Sequence, residues 1–246
     1  MPVAAQQATP VATPATTEPT ERAEPATAIE FFNAQESAMV EALTVRILPG
    51  SADDPGAREA GVVYYIDRIL AGSNGGYSVK TYTQGPYLVV REGETPVENT
   101  SRTDIYQVVE TTSGDEASRY GYQSLLTPQE IYRRGLESVD AFAQSAFGGP
   151  FLELSEADQD AVLEAMEADE ATGFEAPTGN AFFVKLRNDT IEGMFSDPIY
   201  GGNRDMVGWT LIGYPGARGF YTAEEMANSS FSAPPVSLAE LTGHGR

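Results

Sequence analysis

The chain has 246 residues, 41% of them hydrophobic, enough for one sizeable core. Fifteen basic residues against 36 acidic ones give a formal charge of -21, which argues against nucleic acid or an anionic membrane as partner, since phosphate binding needs a basic footprint. Cysteine is absent, so this chain has no disulfide, thiolate metal site, cysteine-ligated cluster, c-type haem attachment or cysteine nucleophile.

Residues 1–28 are Ala, Pro and Thr with a few charges. Such a segment buries too little surface to fold and reads as a disordered linker. It lacks the charged start and apolar stretch of a signal peptide. In exported bacterial proteins a segment like this sits between a removed signal or anchor and the folded body.

Order is expected from "EFFNAQESAMVEALTVRILPG" onwards. Asn33 with Glu36 forms a capping box, Val40, Leu43 and Ile47 share a helical face, and Pro49-Gly50 stops the helix. A second helix is expected from Asp53, Asp54 and Pro55, with Val62, Ile66 and Ile69 as its apolar stripe. Gly72 and Asn74-Gly75-Gly76 end it. Residues 77–123 are rich in Tyr, Thr and Val without helical periodicity, and predict long loops with a short strand pair in "YLVV" and "IYQVVE".

Helix returns at Thr127, which caps with Glu130 and is followed by Pro128. Tyr132, Gly135, Val139, Phe142 and Ala146 repeat at helical spacing. Ser155 with Asp158 starts the next helix, with Val162, Leu163 and Met166 facing inward. In "NAFFVKLRNDTIEGMFSD" Phe183, Leu186, Thr190 and Met194 align, and Arg187 falls inside their arc, where it needs a carboxylate. After "DPIYGGNRDMVGWTLIGYPGAR" come a short amphipathic turn and a polar tail. The expected architecture is mainly α: a single irregular helical domain of about six helices (29–225) with a long loop or β-hairpin insertion (77–123) and a C-terminal tail (226–246).

No apolar run approaches the roughly 20 residues of a spanning helix. The dinucleotide fingerprint, the phosphate-cradling Gly-Lys-Ser/Thr loop and the nucleophile elbow are all absent. The single histidine, His244, lies in the tail between glycines, where nothing fixes it as a base. Asp53, Asp54, Asp197 and Asp205 are the carboxylates open to acid–base work, which leaves a carboxylate-based hydrolase as one alternative. Each has a structural rival: Asp53 or Asp54 as a helix cap, Asp197 in a turn, Asp205 capping the Val207–Trp209 helix or pairing with Arg187. The acidic run Glu167–Pro177 lacks the alternating oxygen ligands of a calcium loop and reads as a solvated turn. A free-standing binding module on a tether is the other alternative.

"FFVKLRNDTIEGMFSDPIYGGNRDMVGWTLIGYPGAR" resembles the signature end of the small, or gamma, subunit of membrane-associated flavin-dependent sugar and gluconate dehydrogenases, the gluconate 2-dehydrogenase subunit 3 family. "EALTVRILP", "GAREAGVVYYIDRIL" and "YRRGLESVDAFAQSAFGGPFLELSEADQDAVLEAME" resemble further segments of it, in the same order, over residues 31–219. The resemblance implies a cofactor-free, non-catalytic subunit that binds a large FAD-carrying catalytic subunit of the glucose–methanol–choline type. It implies a periplasmic or cell-envelope location, often with a multihaem cytochrome c subunit, and twin-arginine export of the folded flavoprotein. This chain departs from the pattern in having no twin-arginine signal, since Arg133-Arg134 falls inside a predicted helix.

Within the signature stretch, two readings stand. As a docking surface, Tyr200, Trp209 and Tyr214 offer stiff aromatic area, Gly201-Gly202 allow close backbone approach, Arg204 presents a fork for a carboxylate and Pro215 fixes a turn. As a self-contained knot, Trp209 lies in the core, Asn203 caps and Arg204 pairs internally. The tyrosine-rich insertion, with Tyr82 and Tyr87, is a second interface candidate.

Overall fold

The computed structural model describes residues 28–51, 53–72 and 126–241. The expected strand pair, Tyr82, Tyr87 and His244 lie outside the described residues. Within them the protein is helical, with eight α-helices and, as its β pairing, an isolated bridge between Gly216 and Val236.

Helix α1, Ala34–Ile47, starts at the Asn33–Glu36 capping box. Helix α2 covers Val62–Ala71, later than expected. Asp53 and Asp54 are exposed and cap nothing; Gly61, at φ 65°, sets the start instead. The physical reason is a tight corner before it. Ala57 N–H donates to the Leu48 carbonyl and Val62 N–H to the Ala57 carbonyl, so the described residues between α1 and α2 fold back as turns.

Helix α3, Pro128–Phe147, carries the Thr127–Glu130 box. Helix α4, Glu156–Glu167, is capped by Ser155, and α5, Gly179–Phe195, by Thr178. At the end of α3 the inward position is Ala143, whereas Ala146 is exposed. The helix runs past the core there, and Gly148 ends it in the left-handed conformation. Three short helices follow: α6 (Val207–Ile212), α7 (Ala223–Ala227) and α8 (Leu238–Leu241).

Helix α5 is the hub, packing on α1, α2, α3, α4 and α6. It buries Phe182, Phe183, Leu186, Thr190 and Met194 along one side, the stripe its spacing predicts. Arg187 stands at the edge of that stripe, half-buried over the Phe183 ring, and its Nη1 lies 3.9 Å from Glu167. Gly135 lets α3 approach: a Cβ there would sit 2.5 Å from the Phe182 ring. The Tyr132 ring meets Phe182 edge-on at 5.6 Å and lies 5.9 Å from Phe32.

Two buried carboxylates tie the layers together. Asp189 on α5 accepts the Tyr132 hydroxyl at 2.6 Å and Lys185 Nζ at 2.6 Å. Burial, reinforced by the Asp189 carboxylate, pushes the Tyr132 hydroxyl well above the usual tyrosine range, so it stays a donor. Asp67 on α2 accepts the backbone N–H groups of Glu30, Phe31 and Phe32 at 2.6, 3.0 and 2.9 Å. Arg133 completes this clamp: it covers the Phe31 ring at 4.5 Å, donates to the Phe31 carbonyl and pairs with Glu36. The chain is thereby fixed where it enters the domain.

Gly135→Ala should destabilise the protein by about 1–3 kcal/mol through overpacking against Phe182, although alanine is intrinsically the better helix former by about 1 kcal/mol. Urea unfolding followed by circular dichroism measures it; unchanged stability would mean the two helices separate freely.

Candidate partner interface

The signature stretch leaves the C-terminal end of α5 and folds back on it. Asp197 begins the turn Pro198–Tyr200 by accepting the Ile199 N–H at 3.1 Å. Its second oxygen accepts the Leu238 N–H at 2.7 Å, from 41 residues further along the chain. Gly201, at φ 101°, brings the backbone against α2, where a Cβ would sit 2.7 Å from Arg68 Cδ and 3.1 Å from the Tyr64 carbonyl oxygen. At Gly202 a Cβ would overlap the Gly193 carbonyl oxygen of α5.

Asn203 is fully buried. Its N–H donates to the Gly193 carbonyl at 2.7 Å, and its Nδ2 to the Ser196 carbonyl at 2.8 Å. Its Oδ1 accepts the Gly208 N–H at 2.9 Å, and its own carbonyl accepts the Met206 N–H at 2.8 Å. One side chain thus serves both the open end of α5 and the start of α6. Asp205 does not cap α6, whose start carries no side-chain cap bond at its N-cap residue Met206; Asp205 is exposed. The reason is backbone shape. Asn203, Asp205 and Met206 sit at φ 43°, 54° and 56°, left-handed values that side chains other than glycine rarely adopt. Such strain costs on the order of 1 kcal/mol or more per residue and persists where surrounding contacts over-determine it.

Trp209 lies in the interior, 5% exposed, with its Nε1 donating to the Phe195 carbonyl at 2.7 Å. Tyr214 meets its ring edge-on at 5.2 Å. Half-buried Pro215 accepts the Val236 N–H, and Ala217 N–H donates to the Val236 carbonyl at 2.7 Å. Part of the expected tail therefore returns to the motif. Arg218 pairs with Glu225 and lies over the rings of Tyr221 and Phe231.

The candidate residues thus separate by depth. Gly201, Gly202, Asn203 and Trp209 face inward. Tyr200 and Tyr214 face out, at 39% and 46% exposure, and Ile199 beside Tyr200 and Leu211 and Ile212 at the end of α6 are exposed as well. Sequence reasoning missed the last three, although "WTLIGY" places aliphatic residues beside the buried tryptophan. It also missed Asp67, for which a signal exists: one acid inside the apolar run "VVYYIDRIL". Among the candidate catalytic carboxylates, Asp197 has both oxygens engaged by backbone amides, while Asp53, Asp54 and Asp205 are exposed. Among the described residues no group of three or more His, Cys, Asp or Glu is placed to hold a metal ion, and no helix is long and apolar enough to cross a membrane.

Asn203→Ala should destabilise the free chain by about 3 kcal/mol, because it strands buried partners on α5 and α6 and places alanine at a left-handed φ. Gly202→Ala should do comparable damage by forcing backbone from backbone. Chemical denaturation of the two variants checks this; losses below about 0.5 kcal/mol would mean that the motif is only loosely attached to α5.

Residues 34–216 match the family described as gluconate 2-dehydrogenase subunit 3. No curated protein and no solved structure matches the chain. The matched span runs from the first residue of α1 to the bridge at Gly216, so it holds both the helical core and the whole of the knot. The chain belongs to the gluconate 2-dehydrogenase subunit 3 family.

Proposed function

We propose that this chain is the non-catalytic small subunit of a flavin-dependent dehydrogenase. It binds and stabilises a large catalytic subunit of the glucose–methanol–choline type that carries the FAD and oxidises a sugar or sugar acid. Family membership supports the multi-subunit setting. In this reading the complex works in the periplasm or cell envelope, the small subunit assists export of the folded flavoprotein, and a multihaem cytochrome c takes the electrons onward.

The observation that carries the proposal is the division of the signature stretch. Gly202, Asn203 and Gly208 are consumed in holding it to α5, which leaves Ile199, Tyr200, Leu211, Ile212 and Tyr214 outside. Aliphatic and aromatic side chains held outward on a braced backbone lose little conformational freedom on docking, which favours association. The carboxylate hydrolase alternative draws no support from Asp197, whose oxygens already serve the backbone.

Co-expression with the large subunit tests this. Omitting the small subunit should lower the yield of FAD-loaded, exported large subunit. Ile212→Asp, at a 59% exposed position, should reproduce the loss while leaving the free chain within about 0.5 kcal/mol of its original stability. Unchanged yield and activity without the small subunit would contradict the proposal, as would dehydrogenase activity in the small subunit alone.

A further inference from the structure

Arg204 differs from most of its basic neighbours. Arg46, Arg58, Arg133, Lys185, Arg187 and Arg218 each have a carboxylate within ion-pair distance. Among the described residues Arg204 has none, in a chain with 36 acidic residues and 15 basic ones. Its guanidinium lies over the Tyr64 ring, 4.7 Å from the centroid, and its Nε and Nη2 are buried without an acceptor. The ring can satisfy only the face of the guanidinium. The N–H bonds of Nε and Nη2 lie in its plane and remain unmet.

A buried donor without an acceptor is destabilising, more so when charged. Internal bracing would have recruited one of the many carboxylates. Instead the backbone holds the group in place. Arg204 N–H donates to the Ala60 carbonyl at 3.0 Å. Gly61 leaves room beside it, since a Cβ there would sit 3.2 Å from Nη2. Left-handed residues stand on both sides, Asn203 and Asp205. The side chain as a whole is half-buried, on the same loop as the exposed Ile199 and Tyr200.

We propose that Arg204 is a preformed anchor for a carboxylate carried by the large catalytic subunit, which meets the guanidinium at its open Nη1 edge, Nε and Nη2 being closed off in the free chain, when that subunit closes over the motif. This rests on the docking reading above. A carboxylate matches the planar fork of a guanidinium. The net charge of -21 adds selectivity: an acidic group is disfavoured over most of this surface, so the Arg204 pair fixes the register of docking.

The test uses the full chain with Arg204→Met and Arg204→Lys, and measures both urea unfolding of the free chain and the Kd for the purified FAD-loaded large subunit at low and high salt. Methionine keeps an apolar stem on Tyr64 and removes the unmet donors. The free Arg204→Met chain should unfold at the same or higher urea, while its Kd rises by about tenfold or more and loses salt dependence. Lysine, a point charge without the fork, should fall between. An unchanged Kd for Arg204→Met overturns the proposal. If methionine unfolds the chain, lysine decides, and a Kd within about twofold of the original then overturns it. Failure of the unmodified chain to bind at all removes the docking reading and this proposal together.

Discussion

Asn203 is the constraint on which the motif depends. It is buried in full, and its backbone and side-chain groups are committed between the last turn of α5 and the first turn of α6. Helix ends leave backbone groups unmet, and an interior position allows no water to meet them. Here one amide side chain, reaching in two directions, closes both ends. The surrounding glycines follow from that requirement. Asn203 can reach the Gly193 and Ser196 carbonyls only if the backbone before it lies directly on α5, and only a residue without Cβ fits at 202. The same logic holds at Gly208, where a Cβ would overlap the Met194 carbonyl oxygen.

Because Asn203 and the Trp209 indole are used internally, the outward side chains of the knot gain a fixed frame. Asp197 extends that frame to the C-terminal segment through Leu238, and the Gly216–Val236 bridge adds a second tie. In the proposed docking role, the chain acts through shape. Residues that neither fray nor rearrange can present aromatic and aliphatic groups at little entropic cost. The strain stored at Asn203, Asp205 and Met206 belongs to the same design, since over-determined loops hold conformations a free chain would leave.

The helical core was largely legible in the sequence. Capping is local, so the Asn33–Glu36 and Thr127–Glu130 boxes and the Ser155 cap stand where their spacing placed them. The α5 stripe was equally clear, because a long amphipathic helix imposes its own period. What failed was local in sequence but decided at a distance. Asp53 and Asp54 resemble a helix start, yet the corner between α1 and α2 is set by hydrogen bonds from residues 57 and 62 back to 48 and 57. Asp205 resembles a cap, yet a left-handed run hands that role to Asn203. The Asp67 clamp joins residues 35 or more apart, and no local pattern encodes such a pairing. In the motif, the residue types were evident from the sequence, but their division into inner and outer sets needed the fold.

The central claim is that residues 197–216 form a rigid knot before any partner arrives and offer only their outer side for docking. Amide hydrogen exchange on the free chain and on its complex with the large subunit tests this most directly. The account predicts that the amides of Asn203, Met206 and Gly208 are already protected in the free chain, and that new protection on binding falls at 198–200 and 210–214. Rapid exchange through 201–208 in the free chain, or no new protection in the complex, would contradict it.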